Sequence, residues 1–503
     1  MRCTWLIWAG CAISAPAQTT WQWTQAFAGR QPFVTDAAYS DNRVHLAVVA
    51  FQGLAGDVPG RSELITLEQS GAYLGSIAVL PDADGVLASF VGSKQSGLPT
   101  YLSGACQIGL EYGFFAYTIS GNGVLSAPSI RIFPGYQFSS SESSLPLANG
   151  GLIISGSLRD GAGSVNRIAL VQIGIDGSIE QDVVYGQGNG LTICRKVVEW
   201  NGSTYVTVEG RLPEFNESGL MRGYRLDSEL GVVQSFLLPR FDMDPEPPID
   251  SIPGDVLDLV PISQTRFASS GRFGSIIPPM ARAAISIADT TGALIRGWLP
   301  RSSYPMDFTP FLQGIAQAPD GNLWFAMHEN FQADNLEILS VHEPNRIHVY
   351  KLDTSLNVLC EHILDGFAEN AYYYLNRIKA TDDGGFLLVG GRRDFNDPSG
   401  YFAAWAQKFG PDDCVVGIGE NATRERAHVF PNPGREGFTL LLNGEVRNGT
   451  LLVLDALGRT VGSTAIRQSQ ARFDAVELAA GVYVYKATDP AGRILAQGKW
   501  VKE

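Results

Sequence analysis

Six histidines and 51 acidic residues are the acid–base material of this 503-residue chain. Four of the histidines crowd into one stretch: His328 beside Glu329, His342 beside Glu343, then His348 and His362. A His-Glu pair followed three residues later by a second histidine would set two imidazoles on one helix face around zinc. Here Asn330, Phe331 and Gln332 follow, so the second ligand is missing. A site assembled from His328, His342 and His348 across loops is the remaining metal arrangement, and solvated loop residues are the reading preferred to it. Asp242, Asp244 and Glu246 alternate along an acidic loop and could converge on calcium if the backbone curled around the ion. Pro245, Pro247 and Pro248 hold that segment extended, and no glycine stands where a calcium loop would turn. It reads as a solvated connection, and no cofactor is expected.

Nucleophile and phosphate motifs are missing. The chain has no G-x-S-x-G elbow, no P-loop and no dinucleotide fingerprint. Gly186-Gln187-Gly188-Asn189-Gly190 is glycine-rich but has no strand-to-helix setting in which to cradle a phosphate. Aromatic residues are the other candidates: Tyr372-Tyr373-Tyr374, and Trp298, Tyr304 and Phe308. Exposed rings stack on sugars or grip proteins; alternating rings in strands pack a core, which is the preferred reading. A net charge of −14 with no Lys/Arg cluster excludes a nucleic-acid partner.

The elements that carry these residues form an internal repeat. Between residues 36 and 416, short β-like runs are broken by Gly, Asp and Asn, with no convincing amphipathic helix. One turn type precedes a strand in each unit: Asp41-Asn42-Arg43, Asp84-Gly85, Asn149-Gly150-Gly151, Asn201-Gly202, Gln264-Thr265-Arg266, Asp320-Gly321-Asn322 and Asp383-Gly384-Gly385. Such dipeptides favour tight hairpins because their central residues accept positive φ. A second set recurs later in each unit: Gln69-Ser70-Gly71, Gly121-Asn122-Gly123, Asp176-Gly177, Ser228 to Gly231, Asp289 to Gly292, Asp353-Thr354-Ser355 and Gly410-Pro411-Asp412. Four strands per unit, seven times over, predict a seven-bladed β-propeller. Eight blades or a pair of β-sandwiches are the competing folds. Trp21 to Phe27 alternates apolar and polar residues and is expected to complete the last blade.

Both ends read as addresses. Arg2, an apolar stretch from Trp5 to Ile13, and small residues at Ala15 and Ala17 lay out a cleavable secretory signal, with cleavage after Ala17. Lipid attachment at Cys11 is the rival, and the bulky Trp8 fits it poorly. No later segment has the run of about 18 apolar residues needed for a transmembrane span. Outside the cytoplasm, Cys106, Cys194, Cys360 and Cys414 are free to form disulfides in any of three full pairings, or to stay as buried thiols.

The last segment separates from the rest by charge. From Val429 onward nine Lys and Arg meet seven Asp and Glu, which leaves −16 for residues 1–428. It opens with Phe430-Pro431-Asn432-Pro433, continues through Val453-Leu454-Asp455 to Gly458-Arg459 and Leu478 to Tyr485 (with Gly481 and Tyr483), and ends with Gly498-Lys499 and Lys502. In order and spacing this resembles the type A C-terminal sorting domain of the Bacteroidetes type IX secretion system. The resemblance implies passage through both membranes, an encounter with the type IX secretion machinery, removal of the domain, and release or attachment to surface lipopolysaccharide.

The expected organisation is a signal peptide (1–17), a seven-bladed propeller (18–418), a linker (419–427) and a sorting domain (428–503) folded as a small immunoglobulin-like β-sandwich. The expected product is a secreted or outer-membrane-surface protein that binds a glycan or protein without catalysis. A secreted polysaccharide hydrolase or lyase with scattered carboxylates as acid and base is the alternative.

Overall fold

The structure, a computed structural model, describes residues 20–27, 29–40, 42–52, 60–95, 97–160, 166–185, 192–210, 221–238, 255–273, 282–300, 302, 304, 306–310, 312–332, 341–414, 427–442, 448–455, 459–488 and 494–503. The chain divides into two compact units, Met1–Val415 and Val416–Glu503.

The first unit is a propeller of seven antiparallel blades. Blade 1 runs outward through Arg30–Ser40, Arg43–Gln52, Arg61–Glu68 and Tyr73–Val79. The inner strands of blades 2 to 5 are Gly85–Gly92, Tyr136–Pro146, Thr192–Trp200 and Asp255–Pro261. Blade 6 has an inner strand split into Asp307–Phe308 and Ile315–Gln317, followed by Leu323–Glu329, Arg346–Leu352 and Val358–Asp365. Blade 7 is Ala371–Ala380, Phe386–Asp394 and Phe402–Phe409, and its fourth, outer strand is Trp21–Gln25. The amino-terminal strand therefore closes the ring, as its alternation predicts.

The recurrent turns explain why the sequence folds this way. In blades 1 to 6 the outer hairpin is one design, for example Gly292 N donating to Asp289 O and Asp289 N to Ala293 O. The residue at the fourth position has positive φ: Gly71, Gly123, Gly177 and Gly292, but Leu230 and Leu356 in two blades. Those two leucines are buried between blades, so apolar burial offsets the backbone cost of a left-handed leucine. Six of the seven first turns close the innermost hairpin of their blade. Asp84-Gly85 does not: it leads into the inner strand of blade 2, whose hairpin lies between Gly92 and Thr100. Asp84 is held there by its N donating to Gln107 O of the second strand at 3.0 Å and by Gly109 N, in the turn after that strand, donating to its Oδ2 at 2.6 Å.

Packing between blades makes the core. The seam between blades 7 and 1 buries Trp21, Trp23, Leu387 and Val389 against Val44, Leu46 and Ile65. The seam between blades 6 and 7 buries Trp324, Ile347, Val349, Tyr373 and Trp405. Each such side chain contributes about 1.5–3 kcal/mol. Cys360 and Cys414 form a disulfide that ties the outer strand of blade 6 to the end of blade 7, whereas Cys106 and Cys194 are buried thiols.

The second unit is a correction. In place of two packed sheets there is one seven-stranded sheet that nearly closes on itself. Its strands, in spatial order, are Ala427–Phe430, Gly437–Leu442, Gln470–Asp474, Thr460–Arg467, Asn448–Leu454, Gly481–Thr488 and Ile494–Lys502. Arg467 pairs with Gln470 to join the two halves, and a Gly434–Lys502 bridge all but shuts the ring. Alternating residues give the same inward apolar face in a sandwich and in a barrel, so the pattern alone could not separate them.

Candidate functional site

The propeller axis is where seven inner strands converge, and all seven are interrupted there. Blades 1, 2, 3, 4, 5 and 7 each carry a register shift in the inner strand, and blade 6 breaks in two. A bulge re-aims the following side chain, and in blades 1 and 5 that side chain is an aspartate. Asp36 accepts Ala37 N at 2.9 Å and Val91 N of blade 2 at 3.0 Å, with Lys379 Nζ of blade 7 at 2.7 Å. Asp258 repeats the arrangement: Leu259 N at 2.9 Å, Ile315 N of blade 6 at 3.1 Å, and Lys196 Nζ of blade 4 at 2.9 Å. Burial lowers the proton affinity of Lys379, with Asp36 opposing. Arg377 adds bonds to Thr35 O and Ser89 O, spanning blades 7, 1 and 2. These carboxylates are engaged on both oxygens, so at the axis they act as a clasp between blades.

A second cluster lies at the edge of blade 6 where its strands begin and end away from the tight hairpins. Register sets Asp307 opposite Glu329, Glu329 opposite Arg346, and Arg346 opposite Asp365, all on the face turned to blade 5. His348 sits between Glu329 Oε2 at 3.3 Å and Glu361 Oε1 at 2.8 Å. Arg346 donates to Glu329 at 3.2 Å and Asp365 at 3.2 Å, and Ser302 donates to Glu329 Oε1. Burial alone would lower His348, but its bonds to Glu329 and Glu361 win and push it up to about 9. Burial likewise would raise Glu329, yet His348 and then Arg346 hold it below the usual carboxylate range. Asp307 goes the other way: burial pushes it up to about 7, eased by the Ser302 hydroxyl and reinforced by the charge on Glu329. Asp307 is 1% exposed, and its Oδ1 has no hydrogen-bond partner among the described residues. The pair thus joins a proton donor to an ionised carboxylate. Beside it Tyr304 stacks on Phe367, and the Arg346 guanidinium lies 4.9 Å over the same ring.

The expected site residues are scattered by this geometry. His328 is not a solvated loop residue: it lies near the end of a fully buried strand, and its Nε2 accepts Leu375 N while Nδ1 donates to Phe308 O. Burial pushes it down to about 4. His348 and His362 also lie in strands; His342 alone of the four is exposed, next to the strand Arg346–Leu352. Among the described residues no group of three or more His, Cys, Asp or Glu could hold a metal. Tyr372 and Tyr373 are buried and Trp298 packs on Tyr350, as core. Trp298, Tyr304 and Tyr374 are half-buried, and Tyr304 is the one of them beside the charged end of blade 6. Asp242, Asp244, Glu246, Ala15, Ala17 and Gly458 lie outside the described residues. Sequence reasoning missed Asp307, Arg346, Glu361 and Asp365; the signal was a charged residue at the same end of four successive strands.

In the second unit the expected sorting residues converge. Trp500 Nε1 donates to Pro431 O, Asn432 Nδ2 to Lys499 O, and Val501 N to Asn432 Oδ1, each at 3.0 Å. Lys502 is buried, and its ammonium donates to Arg435 O at 2.8 Å and Ala475 O at 2.5 Å. A Cβ at Gly498 would meet Tyr485 Oη at 2.5 Å, so any larger residue would have to push the Tyr485 ring aside. Tyr483 caps Ala479 O, and Asp455 binds both the backbone and guanidinium of Arg459.

Residues 428–502 match the secretion system C-terminal sorting domain family. No curated protein matches the chain in sequence. Among solved structures it aligns with PorZ, an essential surface component of the type-IX secretion system of Porphyromonas gingivalis (12% identity over 93% of this chain and 70% of that one, TM-score 0.28). It also aligns with the GH93 α-L-arabinofuranosidase of Fusarium graminearum (8% identity, 79% and 99% covered, TM-score 0.44). A third alignment is with the propeller domain of the Trilobed protease from Pyrococcus furiosus (9% identity, 78% and 99% covered, TM-score 0.39). Likeness at these levels says nothing of activity.

Proposed function

We propose that this protein is an exported propeller that binds rather than cleaves, delivered through the type IX secretion system by its C-terminal sorting domain. The observation that carries the reading is the family match over residues 428–502 behind a seven-bladed ring. In this scheme a signal cut after Ala17 leads the chain out of the cytoplasm. The propeller (18–418) follows, then a linker (419–427), and the sorting domain (428–503) is removed on arrival. Pro431, Asn432, Pro433, Gly481, Tyr483, Gly498, Lys499 and Lys502 serve sorting by holding the domain in its folded form. The proposed ligand surface is the edge of blade 6, where Tyr304 and Arg346 stack on Phe367 beside Asp365 and form an aromatic and cationic cluster. Such a cluster suits a sugar ring or a protein loop.

One observation favours a second reading, a polysaccharide hydrolase: Asp307 and Glu329 are neighbouring carboxylates with proton affinities pushed apart. The two readings part experimentally. The exported protein is incubated with a panel of surface and matrix polysaccharides, and both retention and release of reducing ends are recorded. Retention without new reducing ends, lost on Tyr304→Ala, supports binding. New reducing ends abolished by Glu329→Gln support the enzyme. Fractionation with intact-mass analysis of the native product tests the export reading: residues 428–503 should be absent from the surface or medium form. Recovery of the full-length chain inside the cell, with none at the surface or in the medium, would overturn it.

A further inference from the structure

We propose that the sorting unit is read by the secretion machinery through one outward apolar stripe, which crosses the strands Asn448–Leu454, Gly481–Thr488 and Ile494–Lys502. The proposal rests on the export reading above and adds to it the surface that is recognised.

The inward side of these strands is the core of the unit: Leu451, Val453, Tyr483, Tyr485, Ala487 and Trp500 are all buried. Side chains alternate along a strand, so their neighbours must face out. Register then lines those neighbours up. Val482 stands opposite Val501, and Val484 stands opposite both Lys499 and Leu454. Lys486 stands opposite Leu452. Val482 is 51% exposed and Val501 37%, while Val484, Leu452 and Leu454 are half-buried. Outward positions on the next two strands are mostly polar, Gln470, Arg472 and Asp474 on one and Thr460, Ser463 and Arg467 with Ala465 on the other, while the first two strands of the sheet add Leu441 and Phe430 to the outer surface. Three adjacent strands thus carry a contiguous row of outward aliphatic side chains, set apart in sheet order from Leu441 and Phe430 by the strands Gln470–Asp474 and Thr460–Arg467. A contiguous apolar stripe of this kind marks a contact site.

The closure of the sheet adds a second argument. A partner could read an extended segment by adding a strand to a free edge. Here the terminal strand is already taken at its end: Gly434 N donates to Val501 O, and Glu503 N to Gly434 O. That latch blocks strand addition at this end of the last strand, and the contiguous stripe offers a face to read instead. Lys499 and Lys486 lie in its rows, and the segment from Val429 carries nine basic against seven acidic residues. The fitting partner is therefore a component of the type IX machinery that presents an apolar patch bordered by carboxylates.

The test uses the full chain in a type IX-secreting host, with secreted and retained protein quantified. Four variants are compared with the parent: removal of residues 428–503, V482D/V501D, V482T/V501T and S463D. Removal of the tail should abolish export; if it does not, the export reading itself fails. V482D/V501D should lower export about tenfold or more, since charge is placed where apolar area would be buried. S463D, on the polar part of the same outer surface, should export normally. Thermal melting of each purified full chain checks the fold. Where V482D/V501D melts early, V482T/V501T decides, because threonine keeps the valine shape and β-preference. Normal export of V482D/V501D, normal export of V482T/V501T when it is the deciding pair, or an equal loss in S463D, would overturn the proposal while leaving tail-dependent export intact. Sedimentation of the purified chain should show a monomer. A dimer that dissolves on V482D/V501D would instead assign the stripe to a second copy of this chain.

Discussion

Replacing His348 by glutamine should make the propeller's stability lose one pH-dependent component, and its size follows from the blade 6 network. His348 is held at about 9 against an ordinary value of 6.5, because Glu329 and Glu361 flank it at 3.3 and 2.8 Å. Below pH 6.5 the folded and unfolded chains both carry the proton, and the full contribution is present. Between pH 6.5 and 9 only the folded chain holds it, so stability falls as pH rises. Above 9 the contribution is gone. A difference of about 2.5 in pKa, at 1.36 kcal/mol for each, gives about 3 kcal/mol.

Other groups face the same imidazole: Arg346 and Tyr350 on its own strand, Glu361 on the next, and Asp307 across Glu329. Asp307 also loses stability as pH rises, between its ordinary carboxylate range and about 7, and its proton affinity depends on the charge of His348. The comparison is therefore made in an Asp307→Asn background, with and without His348→Gln. Urea unfolding at pH 6 and pH 10 gives the difference between the two chains at each pH. That difference should shrink by about 3 kcal/mol from the lower to the higher pH. A difference that stays constant to within about 1 kcal/mol would refute the reasoning, because extrapolation error is smaller than the effect sought.

Three further outcomes are expected. Cys360→Ser with Cys414→Ser opens a bridge of 54-residue separation and should cost about 4 kcal/mol by the loop-entropy relation, read as a lower urea midpoint; unchanged stability would mean the bridge constrains little. Asp36→Asn takes the buried carboxylate away from the half-buried Lys379 and should cost about 3 kcal/mol; Asp258→Asn should behave alike through Lys196, and a neutral result at both would remove the clasp. Lys502→Met strips an ammonium from the carbonyls of Arg435 and Ala475 and should cost the tail unit about 3 kcal/mol, seen as faster proteolysis of residues 428–503 while the propeller stays resistant.

Much of the ring was legible because its turns are local. A turn that needs positive φ writes Gly or Asn into the sequence, and Gly150, Gly177, Gly292, Gly321 and Gly384 all stand where such a φ occurs. Asp84-Gly85 misled because the same dipeptide also suits a connection between blades. Leu230 and Leu356 hide the signal altogether, since burial replaces glycine's freedom. The closing strand was visible from Trp21 and Trp23 alone, as two large rings two residues apart must share a face.

The blade 6 cluster was hidden for the opposite reason. Glu329, Arg346 and Asp365 meet only because three strands pair in one register, and nothing along the chain fixes that register in advance. His328 and His348 looked alike in sequence, both beside or near a glutamate in a short β-like run. Their fates differ by strand face. His328 turns toward blade 7, where it accepts Leu375 N among Phe331 and Tyr374 and stays neutral. His348 turns toward blade 5 and two carboxylates, and holds a proton. One residue of register would exchange these roles.

The tail shows the same division between what a sequence displays and what a surface does. Gly498, Lys502, Asn432 and Tyr483 are distinctive in type, and each works inward. Gly498 permits a close approach, Lys502 is a buried ammonium bound by carbonyls, Asn432 clamps the last strand, and Tyr483 caps a carbonyl. Their loss should act through folding, as for Lys502→Met. Val482, Val484 and Val501 are ordinary residues that the same latch turns outward, so they leave no signature although a partner would touch them first. A variant that keeps the latch but not the stripe, and one that breaks the latch under an intact stripe, should therefore both stay inside the cell, the first folded and the second not.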